Sequence, residues 1–193
     1  MEATNRSGGV FKRVVTGHDH AGRAVIVSEA PPTRVHQVGG PGGPTFVEVW
    51  STLEAPAVIE RQADEPRESG LVLGPPKRGT RLRVIDFPPE TEALRQMMEV
   101  RAAAAFVEMG GADAASVGAG APHPLMHRTQ TVDYGIVLQG ELTLVLDRGE
   151  TTVRAGDIII QQGTNHAWAN RSGDICRVAF VLIDGRFADG LRS

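Results

Sequence analysis

Gly156-Asp157-Ile158-Ile159-Ile160-Gln161-Gln162-Gly163-Thr164-Asn165-His166-Ala167-Trp168-Ala169-Asn170 is the stretch that decides the fold. A Gly-Asp pair opens an isoleucine run at 157–161, Gly163 interrupts it, and a second short run follows at 165–170. Runs of this length, rich in β-branched and aromatic residues and broken by glycine, read as strands rather than as turns of a helix. The same pattern extends on both sides. Runs at 134–138, 141–146 and 151–154 precede it and one at 176–183 follows, divided by Gln139-Gly140, Arg148-Gly149 and Ser172-Gly173. Leu142, Leu144 and Leu146 alternate with Glu141, Thr143 and Asp147, the period of a half-buried strand. The spacing predicts an antiparallel meander and an all-β fold.

Further towards the N-terminus, 11–16 and 23–29 flank GHDHAG as a hairpin. A Pro/Gly-rich loop covers 31–44, strands are expected at 45–50 and 80–87, and 60–79 reads as loop. Pro88 and Pro89 stop the last strand. One helix is expected over 90–109, where Leu94, Met97, Met98, Ala102, Ala105, Phe106 and Met109 recur at three- and four-residue steps, with Glu90 and Glu92 at its positive end. Gly110 and Gly111 end it, and 112–123 reads as a linker or a lid. The expectation is one domain over 1–193: N-terminal strands and loops in 1–89, a helical insertion at 90–109 and a core at 120–184.

Composition narrows the function classes. In 193 residues, 41% apolar and 22% charged with a net charge of −3, no run approaches the roughly 18 apolar residues of a membrane helix, and the first residues lack the apolar segment of a secretory leader. A cytoplasmic protein without membrane association is expected. With 20 basic against 23 acidic residues and no long basic run, nucleic acid is not an expected partner. The lone Cys176 excludes an internal disulfide and a Cys-rich zinc site, and reads as buried and inert. A small molecule or another protein is the expected partner.

The motifs resemble those of the cupin superfamily. Its second signature runs Gly-Asp, a strand, Pro-x-Gly, two residues, His, three residues, Asn; here Gly156, Asp157, Gly163, His166 and Asn170 keep it, with Gln161 in the proline's place. The first runs Gly, His-x-His, Glu, six residues, Gly. His127-Arg128-Thr129 takes the His-x-His place, Asp133 the Glu place, and Gly140 closes it. The resemblance covers about 120–184. It implies a double-stranded β-helix, or jelly roll, commonly a homodimer, and it implies His127, Asp133 and His166 as three ligands of a divalent ion such as Fe, Mn, Ni, Co or Zn. Thr129 in place of a ligand histidine makes that set a reduced one.

Two imidazoles and a carboxylate suit such an ion and leave positions open for substrate. Six residues on a straight strand would hold His127 and Asp133 about 20 Å apart, so the chain has to bend at 129–131. The same residues also make a hydrogen-bonded cluster with no ion, in which a His–Asp pair acts as general base and its orienting partner. Thr129 would lie beside the site as a hydroxyl contact, and Trp168, two residues after His166, would share its face and border the pocket or fill the core. Arg83, alternating with Arg81 on the 80–87 strand, pairs with a substrate carboxylate if that face is interior and is solvated if not. Tyr134 is expected in the core and Asn170 in a turn. His18 and His20 fall in the surface hairpin turn, His36 in a loop and His123, between prolines, in an extended connector. Two functions follow: a small-molecule enzyme of cupin type, a metal-dependent decarboxylase, lyase or dioxygenase of a carboxylate or carbonyl compound, or a non-catalytic small-molecule-binding module.

Overall fold

The computed structural model describes residues 11–62, 70–116 and 120–191. Eleven strands and one α-helix occur among them: β1 Arg13–His18, β2 Ala24–Ala30, β3 Val35–Gln37, β4 Thr45–Thr52, β5 Thr80–Phe87, α1 Glu92–Glu108, β6 Thr131–Gln139, β7 Glu141–Leu146, β8 Glu150–Arg154, β9 Ile158–Gln162, β10 His166–Ala169 and β11 Cys176–Asp184. They form a six-stranded sheet in the order β3-β4-β5-β11-β6-β9, a three-stranded sheet β10-β7-β8 and the β1-β2 hairpin. The pairings within them are antiparallel.

Strict alternation on β11 sets the core. Cys176, Val178, Phe180 and Leu182 are buried on one face, where they meet Ile85 and Phe87 of β5, Val137 of β6, Ile159 of β9 and, across from them, Leu142 and Leu144 of β7. Residues of both sheets share that cluster, so the two sheets close on each other as a jelly roll. The expected meander is corrected here. Of the successive strands from β6 to β11 only β7 and β8 pair with each other; β6 pairs with β9 and β11, and β7 with β10. The chain changes sheet after β6 at Gly140, whose φ of 74° and closeness to the Ile175 carbonyl, 2.7 Å from where a Cβ would stand, leave no room for a side chain.

Helix α1 is capped by Thr91, whose hydroxyl accepts from the Leu94 N–H at 3.1 Å, and begins at Glu92, two residues later than the sequence suggests. Its buried stripe is Met98, Ala102, Ala105 and Phe106, while Val100 faces outward. Between α1 and β6, a short 3-10 turn at Ala112–Ala114 leads back so that Ala115 bridges to His127.

Other expectations change as well. Val35–Gln37 is a strand, because Val35 and Gln37 register on β4, so His36 lies in a sheet and not in a loop. Tyr134 is exposed, since the outer face of the six-stranded sheet is uncovered along β6 and β9, where Ile158 and Ile160 are exposed too. On β4 and β5 that outer face is filled by Val47, Val49 and Val84 with Phe11 packed against them. His18 and His20 are exposed around a turn that Asp19 ties to the Ala21 and Arg23 N–H groups. Cys176 is fully buried, and burial pushes its thiol up to about 12. Among the described residues no helix is long and apolar enough to cross a membrane.

Candidate functional site

The inner face of the six-stranded sheet is not uniformly apolar. At one end β4, β5 and β6 turn Glu48, Arg81, Arg83, Thr131 and Asp133 inward, all of them buried. The Glu48 carboxylate stands between two guanidiniums, 3.0 Å from Arg81 and 3.1 Å from Arg83. Arg83 also donates to the Val72 carbonyl at 2.6 Å and lies over the Phe46 ring. These arginines are therefore interior, and Glu48 was not among the residues singled out from sequence. Its signal was present: a carboxylate within the strand-like TFVEVW.

Asp133, 6% exposed, has an Oδ1 that finds no hydrogen-bond partner among the described residues. Burial raises its pKa to about 6, against the opposing pull of the Thr131 hydroxyl and the Arg83 charge. A carboxyl in this state exchanges a proton near neutrality.

The chain does bend between the expected partners. His127 lies in an isolated bridge to His166, with N–H to carbonyl distances of 2.8 and 2.9 Å, and Gln130 bends the chain into β6. The two imidazoles are in contact, their planes tilted by 46° and their centroids 4.2 Å apart. Each has its Nδ1 2.9 Å from a main-chain carbonyl two residues back, Leu125 for His127 and Thr164 for His166. A carbonyl only accepts, so each Nδ1 carries the proton and each Nε2 keeps a lone pair. Burial lowers the pKa of both, that of His166 to about 3 with His127 adding to the effect, so both rings are neutral at pH 7. Trp168 stands edge-on to His166 at 5.6 Å, and Phe106 of α1 lies 5.3 Å from His127.

One cavity of about 130 Å³ is lined by His127, Thr129, Asp133, His166, Trp168 and Arg83, the residues expected from sequence, and α1 lies across it through Met98 and Phe106. That volume is comparable to an engineered cavity that takes up benzene. Thr129 joins its hydroxyl to that of Thr131 at 2.7 Å. Asn170 also borders the cavity but has a turn role: its amide donates to the Phe87 and Asp174 carbonyls, and its oxygen accepts from Ser172.

A divalent ion needs several donor groups converging on one point. Neutral imidazoles with bare Nε2 atoms suit one, yet among the described residues no three His, Cys, Asp or Glu side chains are placed to hold an ion together. The structure brings the two histidines into contact and leaves Asp133 on another wall of the same cavity. The residues as placed do not fit a three-ligand centre.

Two residues that sequence reading set aside complete the surroundings. His123 is 1% exposed, and its Nε2 is 3.2 Å from Glu90 Oε1. Burial of Glu90 opposes ionisation, but the His123 bond and charges outweigh it and hold its carboxyl below the ordinary value.

Comparison with known proteins agrees with this architecture. Residues 114–183 match the cupin domain family. Phomopsin biosynthesis cluster protein C' of Diaporthe leptostromiformis is 32% identical over 180 residues, 90% of this chain and 78% of that protein. The cupin-domain-containing oxidoreductase fogC of Aspergillus ruber is 30% identical over 180 residues, 89% and 71% respectively. Among solved structures, the Schizosaccharomyces pombe Cnp3 cupin domain is similar with a TM-score of 0.43 and 9% identity, covering 90% of this chain and 87% of that one. The chain belongs to the cupin superfamily.

Proposed function

We propose that this chain is a small-molecule enzyme that takes an apolar carbonyl compound into the cavity and moves a proton on the carbon beside the carbonyl. The observation that carries the reading is the Asp133 carboxyl, buried in the cavity wall with Oδ1 unpartnered and a pKa near 6. An unpaired carboxylate oxygen in an apolar cavity is costly unless a ligand engages it, and a pKa near the working pH is what a general base needs. Asp133 takes the proton from carbon. The Thr129 hydroxyl and the Arg83 charge also line the cavity and serve the oxygen on which negative charge develops. The bare Nε2 atoms of His127 and His166 accept from a substrate hydroxyl, and Trp168 and Phe106 offer ring faces to its apolar body.

The names of the relatives, oxidoreductases and biosynthesis-cluster proteins, support an enzyme of small-molecule metabolism. Among decarboxylation, dioxygenation and lyase chemistry, the lyase type is the one that begins with the proton step these residues can perform. The homodimer implied by the family resemblance belongs to the proposal too, to be read by sedimentation.

The test incubates the protein in D2O with small apolar aldehydes and ketones that carry an α C–H, and follows exchange by proton NMR. Deuterium incorporation that falls at least ~100-fold in Asp133→Asn is expected. Binding seen by tryptophan fluorescence with no exchange, or exchange that the variant retains, overturns the enzyme reading. The first of these outcomes supports the non-catalytic binding module, which the predominantly apolar cavity wall also suits.

A further inference from the structure

We propose that Glu90 and His123 are positioning residues that fix the tautomer and orientation of His127 through the two peptide groups of Leu125. The inference rests on the reading of His127 as a site residue, but its test needs no substrate.

Three hydrogen bonds run in one sense. The Leu125 N–H donates to His123 Nδ1 at 3.1 Å. A ring nitrogen that accepts carries no proton, so the proton of neutral His123 sits on Nε2, which donates to Glu90 Oε1 at 3.2 Å. On the other side of Leu125, its carbonyl accepts from His127 Nδ1 at 2.9 Å. The sequence His127 to Leu125 to His123 to Glu90 therefore ends on a carboxylate, and no tautomer other than the one described satisfies all three bonds. Each bond polarises its neighbour in a water-poor setting. His123 is buried and Glu90 nearly so, which protects the series from competing water.

The anchor is itself fixed. The Glu90 N–H donates to the Asn170 carbonyl at 2.7 Å, one residue beyond β10, the strand that carries His166 and Trp168. Glu90 also immediately precedes Thr91, the cap of α1. The start of the helix across the cavity, the end of β10 and the segment bearing His127 thus meet at Glu90, through its main chain and its carboxylate. Second partners of this kind orient functional imidazoles in many sites. Here the partner acts at one remove, through the main chain.

The test is nitrogen-15 NMR of the folded protein labelled at histidine, at pH 7, with the His127 signals assigned by their absence from His127→Gln. The native protein should show His127 as a single Nδ1–H tautomer. In His123→Ala, which keeps the Leu125 carbonyl and loses only the polarisation of the series, the ratio should shift by about twofold toward Nε2–H. Glu90→Leu should shift it in the same direction, while Glu90→Gln, which keeps an acceptor oxygen, should restore the native pattern. Should His123→Ala not fold, the Leu and Gln variants at position 90 carry the comparison. An unchanged His127 tautomer in folded His123→Ala or Glu90→Leu overturns the proposal, as does a native Nε2–H signal. Absence of deuterium exchange with these shifts present would refute the enzyme reading and leave this one standing.

Discussion

Replacing Asp133 by asparagine should make the protein more stable at neutral pH and inactive at once. Burial raises the carboxyl from 3.8 to about 6, so at pH 7.5 the folded state holds an ionised group that its surroundings disfavour. A shift of that size corresponds to about 3 kcal/mol at 1.36 kcal/mol per unit. Asparagine is close in shape and carries no charge, but its amide N–H groups need partners, so a net gain of about 2 kcal/mol is expected. For a chain of this length that is a rise of about 4–8 °C in Tm. The sign depends on pH. A raised carboxyl pKa contributes stability that is complete below 3.8 and lost as pH rises through about 6. The difference between variant and native protein should therefore fall from a gain of about 2 kcal/mol above pH 7 to a loss of about 1 kcal/mol near pH 3.8, where only the amide cost is left. Thermal unfolding followed by circular dichroism across that range measures it. A variant less stable than native at pH 7.5, or a difference independent of pH, refutes the account of Asp133 as a buried acid with one oxygen unpartnered.

Three further outcomes follow from the same geometry. His166, depressed to about 3, contributes stability that is present above its ordinary 6.5 and lost as pH falls toward 3; in His166→Gln made in the Asp133→Asn background, urea unfolding at pH 4.5 should show about 3 kcal/mol of that acid loss removed, and an unaltered loss counts against the assignment. Glu48→Leu removes the carboxylate between two buried guanidiniums and should cost about 3 kcal/mol in a urea titration, whereas an unchanged midpoint would place its charge in water. Chelator treatment should leave Tm unchanged, because the donor groups are not gathered on one point; a fall in Tm reversed by a divalent ion would show that Asp133 closes on the histidines in solution.

What the sequence disclosed depends on where the cavity lies. β5 and β11 were legible because their inward residues beyond the site are apolar, so the two-residue period is intact, and β5 occupies the expected 80–87. β6 was expected to begin at residue 134. It begins at Thr131, because Thr131, Asp133 and Gly135 face inward and interrupt the apolar alternation by which a strand is recognised. The site thus hid the strand that bears it. Pairing between sheets was not legible at all, since the partner of β6 is β9 and no local pattern states that. The proximity of His127 to His166 was implied by the cupin resemblance, whereas the contact of His123 with Glu90 joins residues 33 positions apart and had no local signature. Arg83 was undecided from sequence because its face depends on Glu48, on a neighbouring strand with a bulge after it.

The placement of Asp133 and Tyr134 on opposite sides of one strand has a further consequence. β6 is held on both flanks, by β11 and by β9, so its frame cannot slide independently of them. Deleting a single residue from its beginning would present a phenol to the interior and a carboxylate to solvent, and would do the same to each later pair along the strand. Variation at this wall can therefore proceed by exchange of side chains and not by change of length, and a homologue altered in length here would have to place the difference before Thr131 or at the corner after Gln139.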